Sequence, residues 1–234
     1  MLLKQLREQV LEANLELVRR GLVLYTFGNA SGFSREDGLV VIKPSGVPYD
    51  ELKPESMVVT KLDGSIVEGN FRPSSDLPTH LILYKAFDGI GGIAHTHSEF
   101  AVGWAQAGKS IPCFGTTHAD YFHGPVPVTD YLTPEDITAG YEVNTGHAIV
   151  RTFQHLDPLT VPAVLVRSHA SFTWGLDPAS AAHNSVVLEA VARMAYYTTA
   201  LTPNQDPIPT SLHDKHFLRK HGANKYYGQD TKQK

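Results

Sequence analysis

Cysteine is almost absent from this sequence: Cys113 is the only one among 234 residues. An internal disulfide and a cysteine-based metal cluster are therefore both excluded. Cys113 follows Pro112 in an apolar stretch, where a small buried core residue is expected. Long apolar runs are missing as well, since no segment approaches the ~20 residues needed to cross a bilayer and charges interrupt the N-terminal segment. We expect a cytoplasmic protein without a membrane partner.

Positive charge is not in excess either, with 20 Lys and Arg against 24 Asp and Glu and a formal net charge of −4. Lysines and arginines form no block outside the mixed C-terminal stretch 213–225. We expect no nucleic-acid partner, because such a partner needs a basic face. The hydrophobic fraction of 42% is enough to fill a core, and the length fits one domain over residues 1–234.

Apolar periodicity predicts an α+β protein in which helices cover a sheet. Residues 3–18 follow helical spacing up to Gly21, and only Asn14 interrupts the apolar face of that first helix. Further helices are predicted from the caps at 74–76 to about 87, and at 98–106, 134–155 (with a break near 144–146) and 178–200. Strands are predicted at 22–27, 39–42, 57–61, 65–67, 91–97, 111–114, 162–169 and 172–174.

The candidate metal ligands are histidines at the ends of two predicted strands. Side chains at i and i+2 of a strand project from the same face, so His95 and His97 can bind one ion together. His169 ends a second apolar run and would supply a third imidazole, the ligand number of a catalytic zinc site with an open position. Asp76 offers a carboxylate for the same ion, although it is equally suited to cap the following helix. Ordinary polar residues at strand ends are the alternative interpretation of the histidines.

Three short polar segments are candidates for binding a phosphate monoester. They are Gly28-Asn29-Ala30-Ser31, Lys43-Pro44-Ser45-Gly46 and Ser74-Ser75-Asp76. Glycines let backbone N–H groups approach an anion, hydroxyls and a helix start add partial positive charge, and Lys43 adds a full one. Each segment is also a common turn, and neither a Walker loop nor the GxGxxG motif is present.

Two further segments carry groups suited to proton transfer or docking. Asp120 follows the predicted strand 111–114 within a polar segment interpreted as a loop, and it is either a general acid/base or a solvated or capping aspartate. The aromatic and cationic segment from His216 to Tyr227 lies near the C-terminus, where exposed aromatics are costly. It is predicted either to dock onto another subunit or to be a frayed end.

Taken together, these segments resemble the class II aldolase/adducin-related family, and in particular its sugar-phosphate epimerases. The resemblance extends over almost the whole chain and rests on Gly28-Asn29, Lys43-Pro44-Ser45-Gly46, Pro73-Ser74-Ser75-Asp76, His95-Thr96-His97, 115–122 and 215–222. It implies a three-layer α/β/α sandwich around a central, mostly antiparallel mixed sheet. It also implies a homotetramer with active sites shared between subunits and a C-terminal segment, 210–234, at a subunit interface.

The family pattern implies a role for each matching residue. One Zn²⁺ per subunit, or another divalent ion, would be bound by Asp76, His95, His97 and His169. The phosphate of a sugar phosphate would be bound by Gly28, Asn29, Ser45, Gly46, Ser74 and Ser75, with Lys43 beside them. Asp120 would be one acid/base. The other would be Tyr227 of an adjacent subunit, with His216 and Arg219 nearby, and only the family register favours Tyr227 over Tyr226.

The activity implied by the resemblance is the interconversion of L-ribulose 5-phosphate and D-xylulose 5-phosphate by retro-aldol cleavage, rotation of the aldehyde and aldol addition. A class II sugar-phosphate aldolase is the alternative enzyme, and a non-catalytic adducin-like interaction domain is the alternative from another class. Arabinose breakdown and ascorbate breakdown both fit the reaction. The sequence departs from the family pattern at Phe27, where tryptophan is common, and at Ala170-Ser171, where Gly-Pro is common. Both changes are expected to alter loop packing more than chemistry.

Overall fold

Seven strands form one sheet in a computed structural model that describes residues 1–227. They are β1 (Asn29–Ser34), β2 (Leu39–Ile42), β3 (Val58–Lys61), β4 (Ile66–Glu68), β5 (Gly92–Thr96), β6 (Ala163–Leu165) and β7 (Ser171–Gly175). Their order across the sheet is β4-β3-β2-β1-β5-β7-β6, and every pairing between them is antiparallel. Within residues 1–227, parallel pairing is limited to an isolated bridge between Val128 and Leu165.

Helices cover both faces of this sheet. They are α1 (Lys4–Arg19), α2 (Leu77–Ala86), α3 (Glu99–Ala107), α4 (Thr116–Ala119), α5 (Pro134–Thr152), α6 (Pro178–Leu201) and α7 (Thr210–His221). The first and sixth helices pack on one face and the second and fifth on the other, which confirms the predicted α/β/α layers. No helix in the described part of the chain has both the length and the apolar character needed to cross a membrane. Residues 228–234, the end of the predicted interface segment, lie outside the described residues.

The central strand β1 is built from small residues because two helices pack directly against it. A Cβ atom added at Gly32 would lie 2.7 Å from a methyl carbon of Leu6 in α1 and 2.8 Å from the ring of Pro178 in α6. Asn14 of α1 reaches the same strand: its side-chain amide donates to the carbonyl of Ala30 at 3.1 Å and accepts from the Ala30 N–H at 2.8 Å. Asn14, the polar residue that interrupts the apolar face of α1, therefore links this helix to the sheet.

This packing explains why the strand predicted at residues 22–27 is wrong. The segment turns instead of extending: Tyr25 has a φ of 50°, and the side chains of Leu24, Tyr25 and Phe27 are exposed. The strand forms seven residues later, in the polar segment that begins at Asn29. A run of strongly β-forming residues is excluded from this position because only small side chains fit beneath the helices.

Four other predictions are corrected by the structure. Residues 111–114 contribute one isolated bridge, Ile111 to Val126, and no strand. The segment before Asp120 is the short helix α4. The frayed-end interpretation of the C-terminal segment is wrong up to His221, because these residues lie in the helix α7, whereas docking of the segment onto another subunit stays a prediction. The break in α5 falls at Gly140, where φ is 153°, and not near residues 144–146. The predicted burial of Cys113 is confirmed.

Candidate metal and phosphate site

Three histidines meet at the end of β5. His95 lies within the strand, His97 follows its last residue, and His169 lies in the turn between β6 and β7. Pairing of β5 with β7 sets Thr96 opposite Ser171, which brings this turn beside the end of β5. One ring nitrogen from each histidine lies within 4.8 Å of the other two. The sequence prediction that these three imidazoles converge is consistent with this geometry.

Hydrogen bonds orient two of the imidazoles. The Nδ1–H of His95 donates to the carbonyl of Ser171 at 2.9 Å, which leaves the Nε2 lone pair free for a metal ion. The Nδ1 of His169 lies 3.1 Å from the hydroxyl of Tyr141, and Nε2 presents its lone pair in the tautomer in which Nδ1 donates to this hydroxyl. Burial lowers the pKa of His169 to about 4 and also lowers that of His97. Burial therefore favours the neutral forms, which are the ones that bind metals.

Asp76 faces the histidines and does not cap the helix it precedes. It occupies the N-cap position of α2 but makes no side-chain capping hydrogen bond. Its Oδ2 accepts a hydrogen bond from Nδ2 of Asn29 at 2.7 Å and lies 3.9 Å from Nε2 of His95. Burial alone would raise the pKa of the carboxyl, but the neighbouring imidazoles, first that of His95, outweigh burial and the pKa is lowered. A carboxylate beside three imidazoles is a donor set that suits Zn²⁺ and related divalent ions.

An unpartnered oxygen supports the presence of a ligand at this position. The Oδ1 atom of Asn29 is buried and has no hydrogen-bond partner among the described residues, while the Nδ2 of the same amide is bonded to Asp76. Buried polar atoms are nearly always paired. A metal-bound water or a substrate hydroxyl would supply the missing donor.

The three predicted phosphate segments line the same cleft as the histidines. The cleft has a volume of about 440 Å³, and all seven predicted phosphate ligands reach it: Gly28, Asn29, Lys43, Ser45, Gly46, Ser74 and Ser75. Backbone hydrogen bonds connect the second segment to the third. The Ser45 N–H donates to the backbone carbonyl of Arg72 at 2.9 Å, and the Ser74 N–H donates to the backbone carbonyl of Lys43 at 3.0 Å. Gly46 has a φ of 68°, a conformation that favours glycine.

Lys43 supplies the full positive charge of this cleft. Its ammonium group lies 4.7 Å from the centre of the Tyr49 ring, and burial lowers its pKa to about 8. The Tyr49 hydroxyl donates to the carbonyls of Phe27 and Gly28, at 2.9 and 3.0 Å, and so secures the first segment. Gly28 itself must be glycine, because a Cβ atom there would lie 2.8 Å from the carbonyl of His95.

Sequence reasoning missed several residues of the site. Tyr141 and Glu142 of α5 line the cleft, as does Thr26. Tyr141 and Glu142 lie in a predicted helix and Thr26 in a predicted strand. Neither segment contains a motif that indicates a functional site, so the sequence did not identify these residues. His80 was missed as well: it is fully buried in α2, one helical turn after Asp76.

A second cluster of functional candidates lies around α4 and α7, and we call it the Asp120 cluster. Asp120 accepts hydrogen bonds from Nδ1 of His216 at 3.1 Å and from Nη2 of Arg219 at 2.8 Å, and Nζ of Lys220 lies 3.6 Å away. Burial would raise the pKa of Asp120, but its bonds to Arg219 and His216 outweigh burial and lower it. The Tyr227 N–H donates to the carbonyl of Arg219 at 3.1 Å, and its ring centre lies 4.5 Å from Nζ of Lys220.

The cleft and the Asp120 cluster are separate within one chain. Among residues 1–227, the lining of the cleft includes neither Asp120 nor Tyr227 nor the two predicted substrate-binding residues of α7, His216 and Arg219. His118, two residues before Asp120, is buried and donates from Nε2 to the carbonyl of Gly124 at 2.8 Å. It therefore has a structural role.

Known proteins resemble this chain in sequence and in fold. The family model described as "Class II Aldolase and Adducin N-terminal domain" matches residues 8–196. L-ribulose-5-phosphate 4-epimerases UlaF of Salmonella paratyphi A and Salmonella typhi are each 51% identical over 227 residues, 97% of this chain and 100% of theirs. The solved structure of an L-fuculose 1-phosphate aldolase has a TM-score of 0.74 at 25% identity, covering 91% of this chain and 94% of that one. YgbL from Klebsiella pneumoniae has the same fold, with a TM-score of 0.71 at 24% identity over 90% and 97% of the two chains.

Proposed function

The chain belongs to the class II aldolase and adducin family, and we propose that it is an epimerase that interconverts L-ribulose 5-phosphate and D-xylulose 5-phosphate. The observation that carries the proposal is that the candidate metal ligands and the candidate phosphate ligands line one cleft. The identity of 51% to epimerases across nearly the whole chain directs the choice of reaction.

The proposed reaction requires both the metal ligands and the phosphate ligands of this cleft. The hydrogen on C4 of a 2-ketopentose phosphate is not adjacent to the carbonyl, so simple proton abstraction there is not accessible. Removal of the C4 hydroxyl proton lets the C3–C4 bond break, with C4 becoming an aldehyde and the electron pair delocalising over C3, C2 and the C2 oxygen. Rotation of the aldehyde and reformation of the bond invert C4.

Asp76 and the three histidines are the residues that would hold a divalent metal ion. The ion, when bound, supplies positive charge that stabilises negative charge developing on the substrate oxygens. The chain's own contribution is burial, which lowers the pKa of His97 and His169, and the hydrogen bonds of His95 and His169 to Ser171 and Tyr141, which fix these two rings. The identity of the native metal stays a prediction, since this donor set accepts several divalent ions.

The phosphate segments have a second task in this reaction, which is to retain the cleaved fragment. Glycolaldehyde phosphate must rotate without leaving, so its phosphate has to stay bound while its carbonyl turns. Hydroxyls of Ser45, Ser74 and Ser75 and the ammonium group of Lys43 are suited to this because they line one end of the cleft. An aldolase of the same family would release the fragment.

Asp120 and Tyr227 are our candidates for the two proton-transfer groups at the C4 oxygen. Both belong to the Asp120 cluster, apart from the cleft of the same chain. We therefore propose that both reach the cleft of an adjacent subunit in a ring-shaped homotetramer, although sequence analysis assigned only Tyr227 to the neighbour. A heterologous interface of this kind closes into a ring with one shared site per subunit.

The proposal is tested by a time course with L-ribulose 5-phosphate and Zn²⁺ that follows D-xylulose 5-phosphate and free glycolaldehyde phosphate separately, with a chelator-treated control. We expect xylulose phosphate to form without free aldehyde, and to stop when the metal is removed. Released aldehyde would instead favour the aldolase, a reading supported by the 25% identity to an L-fuculose 1-phosphate aldolase. No turnover of either kind would contradict the proposal. The cytoplasmic location stays a prediction of the sequence.

A further inference from the structure

The residue directly before His169 has an unfavourable backbone conformation. Ser168 has a φ of 56°, and it is one of three residues other than glycine with a positive φ within residues 1–227. In this left-handed region the Cβ atom lies too close to the backbone carbonyl oxygen. Ser168 is the third residue of a tight turn that the His169 N–H closes by donating to the carbonyl of Val166 at 3.0 Å. Glycine or asparagine is the usual residue where such a turn needs a positive φ.

Contacts from outside the turn hold Ser168 in this conformation. Its N–H donates to the carbonyl of Ala105, in the last turn of α3, at 3.0 Å. Its hydroxyl lies 3.1 Å from the hydroxyl of Tyr131. Costly backbone conformations persist only where the surrounding structure fixes them, and they are concentrated at functional sites. Ser168 is fixed both by its backbone and by its side chain.

Tyr131 contacts both residues of the turn that precede His169. Besides the contact between its hydroxyl and Ser168, its ring packs against the guanidinium group of Arg167, whose Cζ lies 4.4 Å from the ring centre. The same guanidinium group lies against the end of α3, where a Cβ atom added at Gly108 would be 2.6 Å from Cζ. Tyr131 and α3 therefore restrain the turn together.

The segment before Tyr131 is attached to β6, and this attachment brings the tyrosine to the turn. The Leu165 N–H donates to the carbonyl of Pro127, and the Thr129 N–H donates to the carbonyl of Leu165, both at 2.9 Å. The Thr129 hydroxyl accepts from the Arg167 N–H at 3.1 Å. Tyr131 lies two residues beyond Thr129, so its ring is carried by a backbone that is itself fixed to β6 and to the turn.

Packing of the hydrophobic core does not account for Tyr131. The residue is 61% exposed, so its ring buries little apolar surface. Its hydroxyl and its ring instead meet the two residues that precede His169. The Tyr141 hydroxyl restrains the His169 ring, but the direction in which this side chain leaves the backbone depends on the conformation of the turn.

We propose that Tyr131 is a positioning residue for His169, which acts by holding Ser168 in the left-handed conformation that directs the His169 imidazole toward His95 and His97. Within residues 1–227 the lining of the cleft does not include Tyr131, so it acts through the turn and touches neither metal nor substrate. The inference rests on the proposed role of His169 as a metal ligand.

Two substitutions of Ser168 separate its backbone conformation from its hydroxyl. Ser168→Ala and Ser168→Gly both remove the hydroxyl that meets Tyr131, but only glycine adopts a positive φ readily. We expect Ser168→Ala to weaken Zn²⁺ binding by about 10- to 100-fold, in line with residues that orient metal ligands, and Ser168→Gly by about threefold or less. Zinc affinity is measured by competition with a chromophoric chelator, so the result does not depend on turnover.

Tyr131→Ala tests the same contact from its other side. We expect it to weaken Zn²⁺ binding by about 10- to 100-fold in the wild-type chain, but by about twofold or less when it is added to Ser168→Gly, because a glycine needs no support from outside the turn. Tyr196→Ala is the matched control. It removes a tyrosine of similar exposure, 54%, from α6 outside the cleft, and it is expected to leave zinc affinity unchanged.

Each outcome bears on the proposal. Wild-type zinc affinity in Tyr131→Ala or in Ser168→Ala, with a loss confined to the stability of the metal-free protein, would overturn it and leave these contacts as structural. Equal losses in Ser168→Ala and Ser168→Gly would also overturn it, because the conformation of this residue would then not be what connects Tyr131 to His169. Failure of the wild type to bind Zn²⁺ would instead overturn the proposed metal site itself, and the positioning role with it.

Discussion

The cleft and the Asp120 cluster use the same kinds of residues in opposite ways. In the cleft, burial lowers the pKa of His97 and His169, ring nitrogens of three histidines converge, and a buried amide oxygen of Asn29 has no partner among the described residues. In the Asp120 cluster, a carboxylate is surrounded by cationic groups of α7, and its oxygens accept several hydrogen bonds from them. The cleft is arranged to receive a ligand, whereas the cluster is arranged to hold a helix and its C-terminal tyrosine in place.

This difference indicates how binding and proton transfer are divided in the molecule. One chain completes the binding half, because all eleven predicted metal and phosphate ligands line one cleft. The proton-transfer half is assembled elsewhere on the same chain. Under our proposal, function depends on an assembly that brings the two halves of different chains together. The first three of the four predictions that follow test this division.

The largest expected effect is the loss of activity in His97→Ala. Removing one of three imidazoles leaves two nitrogen ligands and a carboxylate, so the metal is lost or misplaced, and we expect activity to fall by about 10³-fold or more. Zinc content and turnover are measured on the same preparation. His155→Ala, which removes an exposed histidine outside the cleft, is the control and should retain both. Full activity in His97→Ala would contradict a metal-dependent reaction.

The second prediction concerns mixtures of two inactive variants. His97→Ala disables the cleft and Tyr227→Phe disables the cluster. In randomly mixed rings each site takes its cleft from one subunit and its cluster from the next, so about a quarter of the sites are intact and about a quarter of the wild-type activity should return. The mixture is prepared by unfolding and refolding the two variants together.

A second mixture is the control for this experiment. Asp120→Asn and Tyr227→Phe both disable the same cluster. Their mixture contains no subunit with an intact cluster, so no activity should return. Recovery of activity in this mixture, or no recovery in the first mixture, would show that each active site does not combine the cleft of one subunit with the Asp120 cluster of the next.

The third prediction is a smaller loss in Lys43→Met. This removes the full positive charge of the phosphate end while leaving the backbone donors, and a charge-assisted hydrogen bond of about 1.5 to 3 kcal/mol corresponds to a KM raised by about 10- to 100-fold. Inorganic phosphate should inhibit the variant correspondingly less. Lys61→Met, at an exposed position, is the control. An unchanged KM would separate Lys43 from phosphate binding and reduce its role to packing against Tyr49.

The residues that sequence reasoning selected for their chemistry lie together in one cleft of the structure. Three imidazoles and a carboxylate have few other uses in combination, and the three polar segments identified from glycine, serine and lysine all line the cleft with them. The regular helices were also predictable, since their apolar periodicity reflects burial on one side. These features depend on local pattern, and local pattern is what a sequence displays.

Sequence reasoning failed where packing between distant elements decides the outcome. The strand β1 resembles a loop because α1 and α6 leave room only for small residues, a constraint set by Leu6 and Pro178. His80 gave no signal, because its hydrogen-bond partner, Ser31, lies 49 residues away in the sequence. A histidine in the middle of a predicted helix has many ordinary uses, and only the three-dimensional register of α2 on β1 distinguishes this one.

The smallest expected effect is a change in how the free energy of unfolding depends on pH when His118 is replaced. This prediction tests whether His118, a neutral histidine outside the cleft, has only a structural role. Burial lowers the pKa of His118 to about 4, against about 6.5 when unfolded, and the bond to Gly124 and the nearby His213 modify it less. Between pH 4 and pH 6.5 the unfolded chain binds a proton at His118 and the folded chain does not. The contribution of the neutral His118 to the free energy of unfolding is therefore fully present above pH 6.5 and is lost as the pH decreases. His118→Gln keeps a donor but does not titrate. It should reduce the loss of unfolding free energy between pH 7 and 5.5 by about 1 kcal/mol, measured by urea titration. An unaltered pH dependence would mean that folding does not lower the pKa of His118, and the contrast between a charged cluster and its neutral histidine would not hold.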